Sequence, residues 1–510
     1  MAKNTGKAWL RWAVFAGVIV ALLFVLAGVW SLVAHRDSIP GVHAVQSDTT
    51  AVVGLQDPPA SLDIRTQPGD GLDQVLLGNV YETLVSRNQS NQLTAGLASG
   101  WEISKNALSY RLSIRSGLRF SNGDTLDASD VVWSLERIIT NKYVGYDQLG
   151  DVTSIENPDS TTVAITLGKP NPLLLRALSQ RAGIVYDSHA SIDYSRQCLG
   201  SGPFTVSDYT QGQSITLARN PNYHGTPAAS TQVTVRYFSG TDALMAALRD
   251  GSIQMAVPSP ASAIDKLAQY PSLKTVDGNS TTKVLLAYNC GSQSIFSDEQ
   301  VRKATRYLVD SEAIADSQTD SASALGGPIS PLEPGYEDLT GLFTHDESRA
   351  RSMLSYFADS YLGTVVFLVP QGQESLGQKL TEQLESSGQF TVRMEVVDDQ
   401  SLHNRMASGD YTLALLSMDG TDDASAFSDP DSVFHYQNGQ SEKLYATAME
   451  STNDRTYQSN LAKYARAVSE DAASDWLYVR KSRVVVNTKL DGYPTNMTNI
   501  MLPLKNLSMH

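Results

Sequence analysis

Between residues 283 and 420, strand patterns and helix patterns take turns, and that alternation limits the fold more than any other feature. Lys-Val-Leu-Leu-Ala-Tyr at 283–288 is short and apolar, as a strand buried on both faces must be. Ser297-Asp298-Glu299-Gln300 has the form of a capping box with Ser297 at the N-cap, opening a helix with Val301, Ala304 and Leu308 at helical spacing. A strand at 363–370, a helix at 373–387 stopping near Gly388, and strands at 391–397 and 411–416 follow. A helical region at 442–474 and a strand at 477–487 complete this half. Strands separated by helices predict a parallel or mixed sheet, an α/β architecture.

The first half carries shorter signals. Ala51-Val52-Val53-Gly54-Leu55 reads as a strand, and Leu72, Val75, Leu76, Val80 and Leu84 place an amphipathic helix over 70–86. Residues 108–114 and 161–167 alternate apolar and polar, as half-buried strands do. Gly117 and Asn122-Gly123 mark turns, and Asp127 caps a helix whose inner side is Val131, Val132, Leu135 and Ile139. There is no internal repeat. At 510 residues the chain holds two or three domains.

Lys3, Lys7 and Arg11 precede an apolar run of 23 residues at 12–34. At helical rise it spans about 34 Å, enough to cross the hydrocarbon core. Positive charge ahead of it holds that end in the cytoplasm and exports the remainder. The run exceeds a signal-peptide core, so an uncleaved anchor over 1–36 is expected, followed by a linker over 37–48 with Pro40 and Gly41. Cleavage after Ala34 or Ala44 is the alternative, and would leave the protein secreted. Within the run, Val25-Leu26-Ala27-Gly28-Val29 would be a lipid-attachment box if residue 29 were cysteine; valine cannot take a lipid, and an anchor helix replaces it.

With 39 basic against 54 acidic residues, the net charge of −15 excludes a nucleic-acid binder, whose surface must displace phosphate counterions. Two cysteines, Cys198 and Cys290, are too few for a disulfide scaffold or a zinc ribbon, though outside the cell they could pair. The eight histidines are scattered with no metal-ligand spacing, and neither hydrolase, phosphate-loop nor dinucleotide motifs occur. Ser201-Gly202-Pro203 is read as a structural turn, because a proline is a poor start for the helix behind a nucleophile. No enzyme and no cofactor are expected.

One ordered series of strings remains. It comprises LTAGLASGW at 93–101 with Glu102, Tyr110-Arg111-Leu112, GLRFSNGDTL at 117–126, and Ala128-Ser129-Asp130-Val131-Val132-Trp133-Ser134 with Glu136-Arg137. Further on come GSGPF at 200–204, LARNPNYHG at 217–225, AALRDGSIQ at 246–254, Val301-Arg302-Lys303-Ala304 with Asp310, and GDYTLA at 409–414. In this order they closely resemble the extracytoplasmic solute-binding proteins of peptide, oligopeptide and nickel ABC transporters, over about 55–486.

The resemblance implies a two-lobed binding-protein fold with a two-strand hinge, formed here by 283–288 and 477–487. Lobe I would be 49–288 completed by 485–510, and lobe II 289–484. It implies capture of a peptide or other small solute between the lobes and delivery to a membrane permease with a cytoplasmic ATPase. In peptide-binding relatives a carboxylate after the 411–416 strand meets the ligand's ammonium; by position that is Asp419, Asp422 or Asp423. The loop 66–70, with Gln67, Gly69 and Asp70, aligns with a cleft loop whose backbone could pair with an extended ligand. Trp101, Phe120 and Trp133 are expected in the core. Two departures, Met418 where the family has tryptophan and the acidic stretch 419–434, bear on the ligand, so a receptor for a nickel complex or an oligosaccharide is an alternative. A membrane-anchored sensor of the same fold is another, and an extracytoplasmic hydrolase a third.

Overall fold

Thr50–Leu55 starts the first lobe because its side chains divide cleanly between two faces. Ala51, Val53 and Leu55 enter the main core, while Val52 packs on the far side beneath the helix Thr241–Arg249. Gly54 lets that helix approach: a Cβ there would lie 2.4 Å from Leu244. A computed structural model gives this fold and describes residues 49–67, 69–257, 270–419, 423–497 and 501–510.

The strand is fourth in a seven-stranded sheet ordered Leu273–Gly278, Ser482–Asn487, Met255–Ala256, Thr50–Leu55, Gln232–Tyr237, Ser214–Arg219 and Phe204–Thr210. A separate antiparallel sheet, Ala98–Ile103, Ser109–Ile114, Thr162–Leu167 and Val152–Asp159, shares its core. The alternation read at 108–114 places Tyr110, Leu112 and Ile114 inward. Ala128–Thr140 carries a full capping box, Asp127 accepting from Ser129 N–H and Asp130 reaching back to Asp127 N–H. It buries Val131, Leu135 and Ile138, leaving Val132 and Ile139 half-buried. The chain's last segment returns here. Val486 lies opposite Met255 and Asn487 opposite Leu273, and Leu502, Leu504 and Leu507 join the core. Buried Asn79 ties them in, donating to Leu502 O (2.8 Å) and accepting from Leu504 N–H (3.0 Å).

The second lobe is one mixed sheet ordered Ser321–Ala324, Ser474–Arg480, Lys283–Tyr288, Leu413–Met418, Thr364–Pro370 and Thr391–Val397. Helices cover both faces, so its middle strands are buried on both: Val284, Leu286 and Tyr288 on one side, Leu285 and Ala287 on the other. The mixed α/β expectation holds.

Several boundaries differ. The helix expected over 70–86 ends at Leu76, because Leu77 is extended and Gly78 turns left-handed at φ 72°; Val80, Tyr81 and Leu84 are buried from irregular chain instead. The helix Glu299–Leu308 is capped by Asp298, not Ser297, which closes a short 3₁₀ turn. The 442–474 region is two helices, Gly439–Met449 and Asp454–Glu470, the second capped by Asn453. The 477–487 segment is two strands in different sheets. Consequently the chain crosses between lobes at 279–282 and at 481, and 283–288, expected to close lobe I as a hinge strand, is an inner strand of the second sheet.

The disulfide expectation is corrected: Cys198 and Cys290 are free thiols. One packs on the first lobe's core and the other on the second's. Burial pushes both up to about 12, so they stay protonated. Among the described residues no helix is long and apolar enough to cross a membrane, and the anchor expected at 12–34 lies outside them.

Candidate functional site

A lysine opening an otherwise apolar strand must find counter-charge, because an isolated buried ammonium is prohibitively costly. Lys283 is buried, and its Nζ lies 2.6 Å from Glu333 Oε2 and 3.0 Å from Asp423 Oδ2. Ser330 N–H donates to the same Glu333 oxygen (2.8 Å). Burial alone would lower the Lys283 ammonium, but the two carboxylates outweigh it and hold it above the usual lysine range. Glu333 is pushed up by burial, more than Lys283 pulls it back.

The three acidic positions expected to meet a ligand thus stand differently. Asp423 already receives an ammonium from within the chain. Asp419 is exposed just past the strand Leu413–Met418, its carbonyl accepting from Thr281 Oγ1 (2.6 Å) in the first crossing. Asp422 lies outside the described residues.

The loop before Asp70–Leu76 is clamped from inside. Arg181, ion-paired with Asp73 (2.5 Å) and buried, donates to the carbonyls of Ile64 (3.0 Å), Gln67 (2.5 Å) and Gly69 (2.7 Å). Gly69 takes φ 100°, open to glycine at no steric cost, so the loop can turn its carbonyls toward the guanidinium. The carbonyls of Ile64, Gln67 and Gly69 are thus committed inward; Asp70 opens the helix.

The two lobes face each other over two adjoining cavities, of about 380 and about 770 Å³, within the range of solute sites. Asn91 and Arg176 from the first lobe and Glu333 and Pro334 from the second line both. Glu333 therefore joins the Lys283 cluster to the cleft. Trp101, expected in the core, is half-buried and lines the larger cavity; Trp133 is half-buried too, and Phe120 is fully buried. Arg87, Asn91, Arg176, Lys283 and Glu333 were not singled out by motif. Only Lys283 carried a signal, a charge in an apolar strand.

Two other clusters have structural explanations. Ser201 Oγ donates to Glu82 Oε2 (2.9 Å), on which His224 Nε2 also converges, so the serine faces a carboxylate and the turn is tied down by it. Asp130, Asp187 and His189 bring ligand atoms within 4.8 Å of one another. Their carboxylates, however, already accept from Ser188, Asn122, and the Asp127 and His189 backbone.

The profile of bacterial extracellular solute-binding proteins, family 5 (middle region), matches residues 92–443. The probable D,D-dipeptide-binding periplasmic protein DdpA of Escherichia coli is 23% identical over 496 residues, covering 90% of this chain and 94% of that one. The substrate-binding protein CtaP of Listeria monocytogenes superposes with a TM-score of 0.82 at 19% identity, over 91% of this chain and all (100%) of that one. The oligopeptide-binding protein AppA of Bacillus subtilis, in complex with a nonapeptide, gives 0.71 at 20% identity, over 90% and 99%. The two superpositions bear on the fold.

Proposed function

Because the chain belongs to the family 5 bacterial extracellular solute-binding proteins, we propose that it is the receptor of an ABC importer. It captures a peptide between its lobes and hands it to a membrane permease driven by a cytoplasmic ATPase. One observation carries the reading: two lobes that, among the described residues, the chain links at 279–282 and 481 enclose adjoining cavities lined from both sides. A body built that way opens and closes by torsion at a few residues, and a ligand touching both walls favours the closed form. The chain does no chemistry on the solute. The apolar run at 12–34 tethers the receptor at the membrane, where the permease is.

Asp419, the exposed member of the acidic set, is assigned to the peptide's ammonium, with Asp422 beside it in sequence. Asp423 stays with Lys283. The loop carrying Gln67, Gly69 and Asp70 forms the neighbouring wall. Thermal-shift screening of the full-length protein against di- to pentapeptide pools tests this, since a ligand of the folded state raises Tm by mass action. At about 100 times its Kd a ligand adds about 2.7 kcal/mol. The expected result is a shift with some pool that Asp419→Ala diminishes. A folded protein that no pool stabilises is not a peptide receptor.

A further inference from the structure

Five arginines drawn into this protein, Arg65, Arg181, Arg302, Arg306 and Arg480, each have a carboxylate oxygen within 3.2 Å. Arg87 and Arg176 have none, and they line the smaller cleft cavity together. Arg87 donates from Nε to Ser179 Oγ (2.7 Å) and from Nη1 to Asn91 Oδ1 (3.3 Å), and its Nη2 reaches the Arg176 carbonyl only at 3.5 Å. The Arg176 guanidinium has one long bond, Nη2 to the Asn91 carbonyl at 3.5 Å. Burial, with the neighbouring Arg176 charge added, pushes Arg87 down to about 10, and burial lowers Arg176 as well. Two like charges drawn together and half removed from water need compensation, and among the described residues no ion pair is made by either, Asp454 and Glu333 acting on Arg176 only from beyond ion-pair distance.

The cavity also says what shape would compensate them. Leu173, Ile329, Met449 and Leu461 supply apolar walls from both lobes. Asn91, left-handed at φ 59° and buried, connects the basic end to the other lobe, since its Nδ2 donates to Leu332 O (3.0 Å). An anion between the arginines would therefore lie at a point where the lobes already touch.

We infer that Arg87 and Arg176 form a carboxylate subsite, taking the acid end of an amphipathic solute whose apolar part lies against Leu173, Ile329, Met449 and Leu461. Two guanidinium forks match the planar carboxylate, and charge-assisted bonds are the strong ones. The inference rests on the receptor reading and names the end of the ligand that this cavity holds.

Calorimetry on the full-length protein separates the two ideas. The probes are Leu-Leu-Leu and its C-terminal amide, then hexanoate, hexanamide and inorganic phosphate. The acid peptide is expected to bind about tenfold or more tighter than the amide, and Arg87→Gln and Arg176→Gln each to weaken the acid toward the amide. Arg176→Lys, which keeps the charge but loses the fork, falls between and serves if a glutamine variant does not fold. Equal binding of acid and amide by the unaltered protein overturns the subsite and leaves the peptide reading intact. An acid preference that survives both glutamine variants overturns it too. If neither peptide binds, hexanoate decides: binding over hexanamide that is lost in the variants keeps the subsite without a peptide, and no preference ends it. Phosphate binding tighter than hexanoate replaces the carboxylate assignment.

Discussion

Replacing Lys283 by methionine removes one cation and strands two carboxylates. The lysine side chain is 1% exposed, Glu333 10% and Asp423 9%, so water does little to compensate. Breaking a buried ion cluster by deleting one partner costs about 3–5 kcal/mol, mostly the penalty of the charge left behind. For a lobe spanning 283–480, each kcal/mol moves Tm by about 2–4 °C, so the expected drop is about 6–20 °C at neutral pH. The pH dependence follows from the signs. Lys283 is held above its ordinary 10.5, so its contribution is whole below that value and is lost only as pH rises through the higher folded one. Glu333 is already above its ordinary 4.5 with the lysine present, and without that cation it holds its proton to higher pH still. An acid raised in the folded state helps stability below its unfolded value and loses that help as pH rises. The deficit of Lys283→Met therefore narrows as pH falls toward about 4–5 and is widest at 7–8. Differential scanning calorimetry across that range measures it, and Lys283→Met with Glu333→Gln and Asp423→Asn recovers most of the loss. A single variant melting within about 2 °C of the parent at every pH would refute the argument from burial and charge.

Two further outcomes follow from buried groups. Asp475, beside Arg306 at 3.2 Å, is raised by burial from 3.8 to about 6, so stability falls as pH rises through about 6. Asp475→Asn flattens the Tm–pH curve between about 4 and 7, a change on the order of 2–3 kcal/mol, and an unaltered curve counts against it. Cys198 and Cys290 react with a thiol reagent such as DTNB slowly in the native protein and rapidly in denaturant. Mass spectrometry under non-reducing conditions finds both free, and a linked pair would contradict the separate burial of the two thiols.

The elements that could be read from sequence were those whose signal is local. The alternation at 108–114, the Asp127 cap and the doubly buried strand at 283–288 depend on neighbours in the chain, and each stands where expected. The boundaries that moved depend on distant partners. Val80 and Leu84 keep helical spacing, yet Gly78 breaks the helix because Asn79 is bonded to the chain's far end at 502 and 504. The 477–487 run looks continuous because both halves are apolar, and only sheet pairing separates them at Lys481. The acidic stretch after Met418 was legible as a cluster, but not that Lys283, well over a hundred residues earlier, had claimed Asp423. Arg87 and Arg176 gave no signal at all, since an arginine that lacks an ion pair looks like any other in one dimension.

The return of the C-terminal segment to the first sheet sets an order of assembly. Every strand of the second lobe has been made once residue 480 is out. The first lobe began much earlier, yet Ser482–Asn487 lies between Met255–Ala256 and Leu273–Gly278, and until it arrives those strands present bare edges. A chain emerging N-terminus first therefore completes its second lobe first and holds the other open, dependent on very distant contacts that form slowly. A product broken off after residue 480 would keep a finished second lobe on an unsealed first one, sticky at the vacant strand position. Residues 482–487 thus decide whether the first sheet closes: a chain that stops short of them lacks the strand on which the opposite wall of the cleft depends.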